Sequence, residues 1–194
     1  MVMGAVRLVA GVGVNDADYK VTSYEGRCQS MCPFYKVWSG MIKRCYSKVH
    51  QAQRPTYIGC SVCSEWLTFS NFKAWMEKQD WHGKHLDKDL LTPGNRVYAP
   101  EFCVFVDAMT NSFTIDSGAS RGDCPLGVSF HKASGRYAAY CNNPFSARKV
   151  HLGLYDDMDA AHFAWKKKKH ELSCVLSEMQ SDQRVADALK GRYL

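Results

Sequence analysis

From His85 to Asn111 the chain reads HLDKDLLTPGNRVYAPEFCVFVDAMTN, and three kinds of local chemistry follow one another within it. Asp87 and Asp89 close an apolar-flanked run, Thr92-Pro-Gly-Asn95 has the composition of a tight turn, and Cys103-Val-Phe-Val106 suits a strand. Together they predict a hairpin. Asp107-Ala-Met-Thr-Asn111 predicts the start of a short helix, with Asp107 near its N-terminus, folding Asn111 back toward the carboxylates. Oxygen ligands arriving from a strand end and from a helix suit a hard divalent cation.

Upstream, Tyr35, Trp38, Met41, Ile42 and Cys45 recur at intervals of three and four, which predicts an amphipathic helix from Pro33 with Lys36, Lys43 and Arg44 on its wetter side. A second helix is expected over Ser70 to Lys78, with Ser70 as N-cap and Phe69, Phe72, Trp75 and Met76 as its apolar face. Helical spacing makes core packing the expected role of these aromatics, ahead of base stacking. Residues 1–30 show little periodicity, are broken by Gly11, Gly13 and Gly26, and read as an irregular or strand-containing arm.

Downstream, Ser112, Thr114, Ser117, Gly118, Ser120, Gly122 and Pro125 replace the apolar pattern, so residues 114–124 read as a linker, with Arg121 as a solvated loop charge. Leu126 to His131, a turn at Ala133-Ser-Gly135, and Arg136 to Cys141 then predict a second hairpin, and Lys149 to Tyr155 a third strand. Asp156 and Asp157 introduce a helix from Met158 to about Met179, whose Ala161, Phe163, Ala164, Leu172 and Val175 are expected to cover one sheet face. The run Lys166 to Lys169 is expected to fan around the helix as a solvated face.

The 194 residues, 46% of them hydrophobic, can build one ordinary domain or two small ones. A net charge of +6 favours a polyanionic partner. No apolar run is long enough for a membrane span, and MVMGAVRLVAGVGV carries no convincing cleavage site, so a soluble intracellular protein with no membrane partner is expected. Nine cysteines, an odd number, argue against a complete disulfide framework. Cys60-Ser-Val-Cys63 has the spacing of a zinc half-site that Cys32, Cys45 or Cys103 could complete, giving an optional structural Zn²⁺; packing as small buried hydrophobes is the alternative.

The blocks WSGMIKRCYS, CSVCSEWLTFSNFKAWM, LDKDLL and GNRVYAPEFCVFV, in this order between Cys32 and Phe113, resemble the phage-encoded free-standing homing endonucleases of the HNH family, built on a ββα-metal motif. The blocks LGVSFHKASGRYAAYC and HLGLYDDMDAAHFAWKKKKHEL, within residues 123–176, resemble the DNA-binding domain of ethylene-response factors, which also occurs in such endonucleases. The resemblance implies an α+β chain in which an HNH-like unit with flanking helices is linked to a three-stranded antiparallel sheet packed on one helix. The implied division is an arm at 1–30, the nuclease-like domain at 31–113, the linker at 114–124, the DNA-binding domain at 125–180 and a tail at 181–194.

It further implies a divalent cation, Mg²⁺ or Mn²⁺, held by Asp87 and Asn111, and double-stranded DNA as partner, in a bacterial host's cytoplasm if the protein is phage-encoded. Where relatives carry Asp-His this chain has Asp87-Lys88, so Lys88 is read as an electrostatic stabiliser and His85, on the same strand face as Asp87, as the base. Phe102 stands where many relatives have the asparagine that braces the hairpin, while Asn95 lies in the turn. On the C-terminal sheet, alternation nominates His131, Lys132, Arg136, Arg148, Lys149 and His151 for DNA contact, with Tyr140 as a packing contact. The alternatives are a relative that only binds DNA and one that binds and inhibits a host protein.

Overall fold

The computed structural model describes residues 8–115 and 123–194. Residues 116–122, most of the expected linker and including Arg121, lie outside the described residues, as do residues 1–7. The chain is α+β and divides into two compact units, residues 1–106 and 107–194. No helix among the described residues is long and apolar enough to cross a membrane.

The first unit opens with the antiparallel pair β1 (Thr22–Glu25) and β2 (Cys28–Met31), then α1 (Pro33–Tyr46) and α2 (Lys48–Gln53). Pro33 starts α1 as expected, because an imino nitrogen costs nothing where no intrahelical bond is made. β3 (Ser61–Val62) precedes α3 (Phe69–Met76), and β4 (His85–Asp87), β5 (Val97–Tyr98) and β6 (Val104–Val106) complete the unit. The helix expected at Ser70 begins one residue earlier, with Thr68 at the cap position. Ser70 is not the cap. Its backbone N–H and hydroxyl donate instead to the Asp16 carboxylate at 2.9 and 2.5 Å, so a residue 54 positions away satisfies the helix start. The supposed arm is therefore part of this unit: Val9, Val12, Ala17 and Val21 pack on its core, and Val14 bridges to Thr68.

That core is aromatic. Trp38, Trp66, Phe69, Phe72 and Met76 are at most 1% exposed, so the stripe read as core-forming is core. Trp38 donates its indole N–H to the Trp66 carbonyl at 2.7 Å, which lets a ring with a polar atom be buried without cost. Trp75 stacks on Phe105 of β6 at 5.7 Å between centroids, tying the strand pair to α3.

The second unit begins with α4 (Ala108–Thr114), continues through the sheet β7 (Val128–His131), β8 (Arg136–Asn143) and β9 (Arg148–Tyr155), and ends with α5 (Met158–Glu178) and α6 (Gln183–Gly191). The sheet is antiparallel in the order β7-β8-β9, with a bulge at Ala139/Tyr140. Two boundaries differ from expectation. The nuclease-like span does not reach residue 113, because α4 packs within the second unit: Lys169 Nζ donates to the Phe113 carbonyl at 2.7 Å, Gln180 Nε2 to Thr110 Oγ1 at 3.2 Å, and Arg192 to the Thr114 carbonyl at 3.3 Å. The tail at 181–194 is mostly α6, which buries Val185, Ala186 and Leu189; Ser173 Oγ of α5 donates to the Leu189 carbonyl at 2.7 Å.

The covering face of α5 also differs. Phe163 and Val175 are 69% and 49% exposed, while Ala161, Trp165, Lys169, Leu172 and Leu176 are buried. The Lys166 to Lys169 run is thus not wholly solvated. Lys169 is interior, its ammonium 3.4 Å from the Phe113 ring centroid, and burial pulls its pKa down to about 8.

Candidate functional site

The strand pair expected from the sequence forms: β4 and β6 run antiparallel with His85 opposite Val106, Leu86 opposite Phe105 and Asp87 opposite Val104. The connection is longer than a tight hairpin. Residues 88–103 make a loop in which β5 turns aside to pair in parallel with β3, Ser61 opposite Val97 and Val62 opposite Tyr98. Within it Thr92 to Asn95 forms the expected turn: Asn95 N–H donates to the Thr92 carbonyl at 3.0 Å and Gly94 has φ +80°. Pro93 before a glycine with positive φ is the sequence of a type II turn.

Asn95 holds the loop. Its Nδ2 donates to the Lys88 and Val97 carbonyls at 2.6 and 2.8 Å, and its Oδ1 accepts the Val97 N–H at 3.1 Å. Asn95, sitting in the turn, thus braces this loop through three hydrogen bonds of its own side chain. The signal was present in the sequence as an asparagine after a glycine, but which carbonyls it meets depends on where the parallel strand leaves the loop.

Asp87 stands where β4 ends. Its Oδ1 accepts the backbone N–H groups of Asp89 and Leu90 at 2.9 and 2.7 Å, a turn closed by the side chain. Its Oδ2 has no hydrogen-bond partner among the described residues. Burial, and then the neighbouring Asp89 carboxylate, push its pKa above the ordinary value, against the pull of the two N–H groups. A cation at Oδ2 would relieve both effects.

Lys88 is not placed as the sequence suggested. It is 8% exposed, and its ammonium donates to Asp89 Oδ2 at 2.9 Å and to the Asn95 carbonyl at 3.0 Å. Both are loop groups, so Lys88 braces the loop and is not presented to a phosphate. His85 is exposed, and strand alternation puts it on the same face as Asp87. Asn111 is the fourth residue of α4, so it belongs to the second unit while Asp87 belongs to the first. Asp107 caps that helix as expected, accepting the Thr110 N–H at 2.7 Å and the Thr110 hydroxyl at 2.9 Å.

Among the described residues, no group of three or more His, Cys, Asp or Glu side chains is placed to hold a metal ion. The tetrahedron drawn from Cys32, Cys45, Cys60, Cys63 and Cys103 is not assembled. Cys45, Cys60 and Cys103 are buried, and burial pushes the Cys45 and Cys103 thiols up to about 12. Thiols held protonated in this way behave as small hydrophobes.

In the second unit the nominated DNA contacts separate onto two faces. Lys149 and His151 lie opposite Asn142 and Tyr140, with the Tyr140 and His151 ring centroids 4.9 Å apart and Lys149 Nζ 4.3 Å from the Tyr140 centroid. His131 pairs with Arg136, which shares its face of β8 with Tyr140 and Asn142, so both lie on the face of Lys149 and His151, whereas Arg148 pairs with Asn143 at the alternate position and projects from the other face. Arg136 is occupied by Asp156, Nε to Oδ1 at 2.7 Å, and His131 Nδ1 lies 2.8 Å from Ser134 Oγ. Lys132 is exposed in the turn between β7 and β8. A cavity of about 910 Å³ in this unit is bordered by Phe113, Tyr140, Lys149, Trp165 and Lys169. Comparison of the chain with protein-family models, with curated proteins and with solved structures returned no match.

Proposed function

We propose that the protein is a metal-dependent DNA endonuclease of the HNH type, hydrolysing phosphodiester bonds at the end of the β4/β6 pair. The observation that carries this reading is the Asp87 carboxylate, fixed at a strand end by two backbone N–H groups while its second oxygen has no hydrogen-bond partner among the described residues. The order β4, β6, α4 supports it as a ββα succession along the chain, and so does the loop closed by Asn95.

A hard cation fits this donor set. Mg²⁺ is commonly bound by one or two carboxylates, with substrate phosphates and water completing its shell, so a cluster of three acidic or histidine ligands is not required. Asp87 would hold Mg²⁺ or Mn²⁺, and the ion would supply positive charge against the scissile phosphate and the departing 3′-oxygen. His85, exposed and on the same strand face as Asp87, would take the proton from water on an imidazole nitrogen. Lys88 and Asn95 keep the loop in shape. The exposed lysines and rings of the C-terminal sheet would hold the nucleic acid.

Nicking of supercoiled plasmid by purified protein with Mg²⁺ or Mn²⁺ tests the reading. Asp87→Ala should reduce nicking to background, and His85→Ala should slow it by about 100-fold. Equal nicking by Asp87→Ala, or none by the unaltered protein with either metal, would overturn it. A second reading, a protein that binds nucleic acid without cutting, is favoured by the sequestered Lys88 ammonium. It predicts salt-dependent binding with no nicking.

A further inference from the structure

β7 begins opposite Ala139 while β8 runs on to Asn143, so the end of β8 has no strand neighbour on that side. Residues of α4 border the gap, which is the cavity of about 910 Å³. Its walls are largely apolar: Met109 and Phe113 of α4, Leu126 and Val128 around the start of β7, and Trp165 of α5. Gly127, with φ +82°, lets the backbone turn against the indole, since a side chain there would overlap the Trp165 ring. The volume falls in the range of small-molecule sites, roughly 300–1,000 Å³.

Lys169 is the charged group of this lining that is withdrawn from water. It is 9% exposed, and among the described residues its ammonium makes one hydrogen bond, to the Phe113 carbonyl at 2.7 Å, of the three it can donate. No carboxylate among the described residues pairs with it. Its electrostatic neighbours are the Cys141 thiol, which burial holds protonated, and the Arg192 guanidinium, a second cation. Arg192 Nη1 is itself buried with no hydrogen-bond partner among the described residues. A buried ammonium without a counter-charge is costly, and a cation near it adds to the cost. One negative charge is missing. The other lysine of the lining, Lys149, is exposed and marks the solvent side of the cavity.

We propose that this cavity binds a small amphipathic monocarboxylate, its apolar body against Phe113, Val128 and Trp165 and its carboxylate on the Lys169 ammonium. The site involves neither Asp87 nor a metal nor nucleic acid, so it is independent of the nuclease reading. Isothermal titration calorimetry of the full chain with octanoate and with 2-naphthoate tests it, each beside its neutral counterpart, octan-1-ol or 2-naphthalenemethanol. At least one acid should bind at one site per chain, at least about tenfold more tightly than its alcohol, because only the acid supplies the missing charge. Which acid does so distinguishes an alkyl chain from a fused ring. Lys169→Met, which keeps most of the apolar stem and removes the charge, should lose that preference. Lys167→Met, which removes an exposed charge from the same helix, should keep it. Thermal melts identify a variant that does not fold, and the comparison of acid with alcohol in the unaltered protein needs no variant. Absence of binding by either acid at millimolar concentration, alcohols that bind as tightly as the acids, or an undiminished acid preference in folded Lys169→Met would overturn the proposal.

Discussion

Among the described residues each unit buries one lysine, and the two do so by different means. Lys88, 8% exposed, meets the Asp89 carboxylate and the Asn95 carbonyl in the loop between β4 and β6. Lys169, 9% exposed, meets the Phe113 carbonyl and the face of the Phe113 ring. An ammonium taken from water must recover hydrogen bonds and opposite charge, or its charged form is penalised. Beside a carboxylate, Lys88 locks a loop that has almost no regular structure of its own. Without one, Lys169 is left with a dipole and a ring, and its proton becomes easier to lose. A buried lysine in this chain thus marks a place where a segment is pinned, α4 in the second unit and the loop beside Asp87 in the first.

The strongest way to break the first half of this contrast is Asn95→Ala. It strands the Lys88 and Val97 carbonyls and the Val97 N–H, and should cost about 3 kcal/mol at roughly 1 kcal/mol per lost bond. Urea unfolding followed by tryptophan fluorescence reads it, and a loss below about 1 kcal/mol would show that the loop is held elsewhere. Lys88→Met should cost less, about 2 kcal/mol, because Asp89 is partly exposed and recovers water while the Asn95 carbonyl does not. If Lys88→Met leaves stability and nicking untouched, Lys88 is not the brace described here.

The second half is sharpened by pH. The folded-state pKa of Lys169 lies below its unfolded value of 10.5, so between about pH 8 and 10.5 the unfolded chain holds more protons and stability rises with pH. The gain attributable to Lys169 across that window is about 3 kcal/mol, at roughly 1.4 kcal/mol per unit between the two pKa values. Denaturant midpoints across that window should therefore climb in the unaltered protein relative to Lys169→Met; parallel profiles would refute the assignment. The smallest effect is expected at Phe163→Ser, within about 0.5 kcal/mol, because that ring is 69% exposed. A larger loss there would mean that Phe163 does cover the sheet.

Most of the regular elements were legible in the sequence because their signals are local. Pro33 marks the start of α1, Asp107 and Asp157 cap α4 and α5, and alternation located β7, β8 and β9 within two residues. What failed was whatever depended on a distant partner. Ser70 looked like a cap until Asp16 was found on it, and Phe163 looked interior until Trp165 and Lys169 took the buried side of α5. The tail looked featureless because nine residues of helix say little until Leu189 meets Ser173.

The candidate site shows the same limit. His85 and Asp87 could be placed on one strand face from their spacing alone, since a two-residue repeat is set by backbone stereochemistry. The environment of that carboxylate could not, because desolvation and the nearness of Asp89 depend on the loop that folds over them.

By itself, then, the amino-acid order determined the α+β class, the antiparallel partnership of residues 85–87 with 104–106 and the three C-terminal strands, all through short-range stereochemistry and apolar periodicity. Only the tertiary structure decided which unit α4 joins, which lysines leave the surface and which thiols stay protonated. Those outcomes turn on burial and on partners up to 80 positions apart, such as Tyr193 donating to the Phe113 carbonyl, which no local pattern encodes.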